Sequence, residues 1–531
     1  MADTRFTLDQ HGAAAKNHDS SHNPEMNDAP HVVRSRRMFL AAIAVAAILR
    51  TALVGFPICI DRNGVQLVEF AKRMADDPIA AMKLTTRQPA YSWLLLKTHQ
   101  LIGPLAGGDT PEAWQRCGEF IAMLGGLAVC IAIWAVTRRL FDDRIAAFAA
   151  VLAACWPQGV TLSAGVLSDM PHLAVFLGAM LLIIDGCSRR SIGRLAAGGA
   201  MAGIAYLFKQ EAISLLAGGL IAWWMSSRSE PIARRLGGAA AFAVVFAMAV
   251  SPHSIATGAL IPNKNPMDIL RLVATPQSDA NNPILAYAVP WWQTPGRFLE
   301  DWLRSGRYVI PLLFLAGAFL KQSATAQREG RTLVVATIAT YIVLIQARSI
   351  LYGEISERYA AIPGVLAIPW AAAGWCALAD RLNVRNPRWV TALGALLLLP
   401  LVAYSLRPVA APKSGFREAG ARLRAAAAAD DRVLAHEHLE QIMFYAGRTY
   451  PDTTWIKCRR SDASDRIRRY IRGKRPAWYV DAESTHRGAL DETRHFAWLR
   501  QASDLFEPLT EAGPEGNRVF VYRIRTANAA R

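Results

Sequence analysis

A few charged residues stand beside long apolar runs, where charge is costly to keep, and their types point to one kind of chemistry. Asp61 lies just past the first run, Asp169 just before a later one, and Arg87, Lys209 and Arg358 border the segments between. A carboxylate in such a place can take a proton from an attacking group, provided it stays ionised. Cations from separate segments can hold an anion and stabilise charge that grows on it, Arg especially through its forked donors. Asp61 is the first candidate for the base and Asp169 the second; Arg87, Lys209 and Arg358 are the candidates for the anion. Each also has a plainer reading. Asp169 could cap the helix that starts at Met170, Lys209 could pair with Glu211 within a hairpin, and Arg358 could pair with Glu354 or Glu357.

The elements that must position these groups are membrane spans. A hydrophobic share of 53% exceeds that of an ordinary soluble chain of 531 residues, and the mean hydropathy is +0.18. The apolar residues also come in runs near span length, at 38–58, 117–137, 145–163, 170–187, 235–255, 331–347, 360–379 and 389–406, with weaker ones at 192–208, 211–226 and 307–320. This predicts an all-α polytopic membrane protein of about eleven transmembrane helices. Residues 1–33 read as a disordered tail, and their four histidines, His11, His18, His22 and His31, fit no compact ligand set. Seven cysteines without paired spacing imply neither zinc nor a disulfide framework.

Every second loop is basic, beginning with Arg34, Arg36 and Arg37 before the first run, then Arg138, Arg139 and Arg144, then Arg189, Arg190 and Arg194. Basic loops stay in the cytoplasm, so the amino terminus is expected inside and the carboxyl end outside. The net charge of +17 follows from this bias and from an Arg-rich tail, and it requires no nucleic acid. Segment 89–107 then cannot cross and is expected at the outer interface. The large outer loops are 59–116, 256–306 and 348–359, and within the second, 296–306 has the pattern of a helix lying flat on the membrane. Asp61, Arg87, Asp169, Lys209, Glu211 and Arg358 all fall on this outer face, as a site for a charged headgroup at the bilayer surface requires. Arg50, inside the first run, is deep enough to need a structural partner.

In this order the motifs resemble those of the GT-C glycosyltransferases of the dolichyl-phosphate-mannose mannosyltransferase and lipid A aminoarabinose transferase type. Asp61 stands where that group carries an acid after its first span, and Arg87-Gln88-Pro89-Ala90-Tyr91 where a basic or His residue precedes Pro-Pro-x-Tyr. Ser168-Asp169-Met170-Pro171, Lys209-Gln210-Glu211 and Arg358-Tyr359 match later motifs. Gln88, Ala90 and Gln210 depart from the pattern, and Arg62-Asn63-Gly64 stands where related sequences often read Arg-Asp-Gly. The resemblance implies a GT-C fold in the cytoplasmic membrane and transfer of a sugar from a polyprenyl-phosphate donor to a lipid, glycan or protein acceptor. It implies Asp61 and Asp169 as catalytic residues, and Arg87, Tyr91, Lys209, Glu211, Arg358 and Tyr359 as substrate-binding ones. No metal ligand is identified, and participation of a divalent ion stays open.

Residues 407–531 alternate helical and extended patterns: helices near 415–428, 437–446 and 462–473, and strands at 431–435, 477–481 and 517–524. This predicts a small extracytoplasmic α/β domain after a membrane domain at 34–406. Two other classes remain open. A non-catalytic polyprenyl-lipid binder or envelope assembly factor fits if Asn63 marks a lost acid. A secondary transporter fits less well, because its charges should face the bilayer middle.

Overall fold

The computed structural model describes residues 29–54, 59–85, 87–258, 292–319, 328–352, 356–383, 387–407, 413–436, 439–449, 454–458, 464–483, 499, 502, 504–514 and 517–525. Most of residues 1–33, the Pro-rich part of loop 256–306 with Trp291, and Glu354 lie outside these.

The membrane part is built from α1 (Ala29–Val54), α2 (Arg62–Asp76), α3 (Pro78–Lys83), α4 (Pro89–Ala106), α5 (Pro111–Leu140), α6 (Asp143–Cys155), α7 (Pro157–Leu162) and α8 (Asp169–Ser188). It continues through α9 (Ile192–Phe208), α10 (Ile213–Ser226), α11 (Ile232–Thr257), α12 (Thr294–Ser305), α13 (Val309–Phe319), α14 (Arg328–Tyr352), α15 (Ala361–Asn383) and α16 (Pro387–Ser405). Within the described residues, each of the eleven apolar runs is helical over most of its length. Among the described residues, α1, α5, α8, α11, α14, α15 and α16 are long and apolar enough to cross a membrane, while α9 and α13 are apolar but shorter. The chain is an integral membrane protein; against the eleven spans expected, the described residues hold these seven and two shorter apolar helices.

Three local expectations need correction. Helix starts at Ala29, inside the stretch read as a disordered tail, so α1 runs through Arg34, Arg36 and Arg37 ahead of its apolar run. The run 145–163 is two helices rather than one, since Pro157 has no N–H to continue the ladder and Trp156 turns extended before it (φ −65°, ψ 111°). Loop 348–359 begins as helix, because α14 continues to Tyr352.

In the bundle, α8 packs between α5 and α9, α9 against α11, α10 against α14, α13 against α15, and α1 against α6. Arg50 of α1 is fully buried there. Its partners are not carboxylates: it donates to Ser163 Oγ at 3.1 Å and to the carbonyls of Ala46 and Ala154 at 3.2 Å and Ala153 at 3.5 Å. Pro157 leaves the Ala153 carbonyl without its usual helical donor, and the guanidinium takes that role. Gly126 permits the approach, since a Cβ there would lie 2.6 Å from Arg50 Nε.

The carboxyl-terminal part holds α17 (Ser414–Ala426), β1 (Val433–His436), α18 (Glu440–Tyr445), β2 (Trp455–Cys458), α19 (Ser464–Lys474), β3 (Trp478–Ala482), β4 (Phe506–Ala512) and β5 (Val519–Ile524). The sheet order is β2-β1-β3-β5-β4, with β1 parallel to β2 and β3, and β5 antiparallel to β3 and β4. The expected small α/β domain is present, with β2 and β4 as additions. It docks on α2, α4 and the start of α5: Phe416, Leu439, Ile442 and Tyr445 share one apolar core with Val65, Leu67, Tyr91 and Trp114. Arg424 adds a two-pronged pair with Glu112 at 2.9 and 3.0 Å.

Candidate functional site

Five segments converge on a polar cavity of about 350 Å³. The first turn of α2 brings Asn63, the turn before α4 brings Arg87 and Gln88, and the start of α8 brings Ser168. The α9–α10 connection brings Lys209 and Glu211, while the end of α14 and the connection after it bring Arg348, Arg358 and Tyr359.

Local sequence accounts for each placement. Asp61 caps α2, its Oδ1 accepting from the Asn63 N–H at 2.8 Å, and this aims Asn63 from the first turn. Gly64 lets that turn press on the chain at Val166, whose carbonyl would lie 2.9 Å from any Cβ there. Pro89 begins α4 without needing a donor and holds Gln88 extended, so Arg87 leaves the helix axis. Lys209 is the extended C-cap of α9, after which a single 3-10 turn, Gln210–Ala212, restarts the chain into α10. Ser356 caps a second 3-10 turn, Glu357–Ala360, and the Tyr359 carbonyl accepts from the Tyr341 hydroxyl at 2.7 Å.

Behind the cavity wall lies Asp169, the buried first residue of α8, where the helix dipole favours negative charge; it holds two lining cations without lining the cavity itself. Its Oδ1 accepts from Lys209 Nζ at 2.9 Å and its Oδ2 from the Arg358 guanidinium. Both cations thus pair with Asp169; of the partners open from sequence, Glu211 still acts on Lys209 through its charge, and Glu354 lies outside the described residues. Ser168, not Asp169, is the N-cap residue of α8. Across the cavity, Arg87 donates to Asn63 Oδ1 at 2.8 Å and to the Gln66 side chain. Arg348 lies over the Tyr359 ring at 5.1 Å.

The lining is therefore cationic, with Arg87, Lys209, Arg348 and Arg358 against Glu211. Burial draws the Lys209 ammonium down, but Asp169 and Glu211 outweigh it and hold it above its ordinary value. Burial raises the Glu211 carboxyl, yet Lys209 and then His172 bring it below the usual glutamate range. Burial and the neighbouring Arg358 charge both press the Arg87 guanidinium down, against the opposing charge of Asp61.

Besides Asp169, two of the sequence candidates lie outside the cavity lining. Asp61 is exposed and does not line the cavity, although its charge reaches Arg87. Among the described residues its second carboxylate oxygen has no hydrogen-bond partner. Tyr91 is fully buried, its hydroxyl donating to the Gly118 carbonyl at 3.2 Å, and it packs in the core beneath α2. Sequence reasoning misses Gln66 and Arg348 as members of the site, and it marks Asn63 and Gln88 only as departures from a motif. Arg348 carries a visible signal, a cation directly after the run 331–347; Gln66 carries none.

A second cavity, of about 740 Å³ and almost wholly apolar, is lined by Phe298, Leu299, Trp302, Ile338, Ile342 and Pro363 among others. Ala347 belongs to its wall and Arg348 to the polar one, so consecutive residues of α14 face the two. Among the described residues no group of three His, Cys, Asp or Glu is arranged to hold a metal.

Residues 112–256 match the model of the family described as dolichyl-phosphate-mannose-protein mannosyltransferase. No curated protein sequence matches the chain. Among solved structures, it is similar to ArnT from Cupriavidus metallidurans bound to undecaprenyl phosphate, at 15% identity and a TM-score of 0.58, covering 92% of this chain and 98% of that one. The same protein in the apo state gives 16% identity and 0.56, with the same coverage. The oligosaccharyltransferase AglB from Archaeoglobus fulgidus, in complex with an inhibitory peptide and a dolichol-phosphate, gives 12% identity and 0.56, covering 91% and 74%. The fold is thus the one that the motifs led us to expect.

Proposed function

We propose that the chain is a glycosyltransferase of the cytoplasmic membrane that moves a sugar from a polyprenyl-phosphate donor to a hydroxyl of a lipid, glycan or protein acceptor on the extracytoplasmic face. The observation that carries this reading is the cavity lined by Arg87, Lys209, Arg348 and Arg358, flanked along α14 by an apolar cavity. An anionic headgroup on a long apolar tail matches that pair. The family match and the lipid phosphates named for ArnT and AglB agree with it.

The acceptor oxygen attacks the anomeric carbon while the bond from that carbon to the phosphate oxygen breaks. The electron pair leaves with the phosphate, where Arg87, Lys209 and Arg358 stabilise it. The acceptor's proton passes to Asp61, two residues before the lining Asn63 and outside the lining itself, through the oxygen that makes no hydrogen bond among the described residues. Asp169, with both oxygens engaged by cations, is better suited to holding Lys209 and Arg358 in place than to taking a proton. Glu211 and Tyr359 complete the wall against the sugar, and Tyr91 supports the helix beneath.

A purified protein given a radiolabelled polyprenyl-phosphate sugar tests the reading. Turnover supports it, binding without turnover supports the lipid-binding alternative that Asn63 raises, and the absence of both overturns it. A chelator in the same assay reads any contribution of a divalent ion. Orientation has its own check: a reporter active only outside the cytoplasm should work when fused after residue 410 and fail after residue 325.

A further inference from the structure

The residue before Asp61 is gripped from the carboxyl-terminal domain at both of its backbone groups. Ile60 is buried, its N–H donates to Tyr445 Oη at 2.8 Å, and its carbonyl accepts from Gln441 Nε2. Tyr445 and Gln441 are themselves fixed. The Tyr445 hydroxyl donates to Gln115 Oε1 at 2.7 Å, Gln115 donates to Glu119 at 2.6 Å, and Lys413 donates to Gln441 Oε1 at 3.2 Å. On the other side of Asp61, Arg62 pairs with Glu440 at 2.9 Å. Glu440, Gln441 and Tyr445 all belong to α18, and none of them lines the polar cavity.

We infer that α18 is the positioning element for Asp61, with Tyr445 and Gln441 as positioning residues that set the direction of its carboxylate without touching substrate. The inference rests on the reading of Asp61 as the base. Its physical ground is that a buried backbone N–H and C=O must find partners, and here both partners come from a different domain. The extended conformation of Asp61 (φ −68°, ψ 151°) is thereby fixed from the preceding residue, and the cap to Asn63 fixes it from the following one. The carboxyl-terminal domain thus completes the site from behind.

The test uses the full-length protein and the variants Tyr445→Phe, which keeps the ring and loses the hydroxyl, and Gln441→Leu. Displacing a reacting group by a fraction of its reach lowers kcat, so each should lose roughly tenfold in kcat with donor KM unchanged. In an Asp61→Asn background, where no base remains to be positioned, Tyr445→Phe should cost less than about twofold more. Hydrogen exchange of the amides at 59–63 should quicken in Tyr445→Phe. A full tenfold loss that persists in the Asp61→Asn background, or unchanged exchange at 59–63, overturns the positioning role. Full turnover by Asp61→Asn alone defeats the base reading and the catalytic consequence together. The exchange result then separates that failure from a failure of the grip itself.

Discussion

The two cavities are neighbours with opposite linings. The polar one is walled by four cations drawn from three connections between helices and their borders, and Arg87, Lys209 and Arg358 are held by hydrogen bonds to fixed partners. The apolar one is walled by the faces of α12, α14 and α15, and it offers almost no hydrogen bonds. Side chains that bond through atoms at set angles give orientation, whereas an apolar wall gives affinity in proportion to area and little directional preference. A ligand with a charged head and an apolar tail would therefore be aimed by the first cavity and retained by the second.

Substitutions should divide along that line. The largest effect belongs to the head end: Asp61→Asn should lose about 10² to 10⁴ in transfer rate whatever the length of the donor's tail, as measured by single-turnover assay. Near-normal turnover, or a large gain in Asn63→Asp, would move the base elsewhere. Next come Arg87→Gln, Lys209→Gln and Arg358→Gln. Each removes a charged hydrogen-bond donor worth about 1.5–3 kcal/mol, so kcat/KM should fall roughly tenfold to a hundredfold, again independently of tail length. If all three remain fully active, the polar cavity is not the site.

At the tail end, Phe298→Ala removes apolar wall. It should raise KM for a long-chain donor by roughly fivefold and leave a short-chain analogue unaffected. An equal effect on both donors would erase the distinction between the cavities. The smallest effect is on pH dependence. Because the Glu211 carboxyl is held below the ordinary glutamate range, its contribution to stability is present above that range and is lost as pH falls through the lower, folded value. Acid unfolding curves of Glu211→Gln should therefore be flatter in that window than those of the parent, and the two should keep a constant offset at neutral pH.

The spans are legible because a water-soluble fold seldom keeps an apolar run near twenty residues long, and among the described residues each such run is helical over most of its length. The break at Trp156-Pro157 is harder to see, since hydropathy runs on across it while the hydrogen-bond ladder does not. In the sheet, the unread strands β2 and β4 are the two edges. β4 carries Pro508 beside an irregular register and alternates polar residues, so it has no apolar run to announce it. Within the site, the sequence pointed to the charges that pack around Asp169 but not to their pairing. Asp169 and Arg358 are 189 positions apart, and no local pattern links them. Gln66 is invisible for a different reason: a neutral amide is common on any helix surface and declares its purpose only beside Arg87.

Arg50 places a constraint on the order of assembly. An arginine at the centre of a span costs about 2.5–3.5 kcal/mol to insert by itself, and Arg50, four residues from the end of α1, meets a smaller cost of the same kind. Three of its four acceptors belong to residues synthesised more than a hundred positions later. During synthesis α1 therefore carries guanidinium donors without these acceptors until α6 and α7 emerge, and the broken helix they form is the receptacle in which the first span settles.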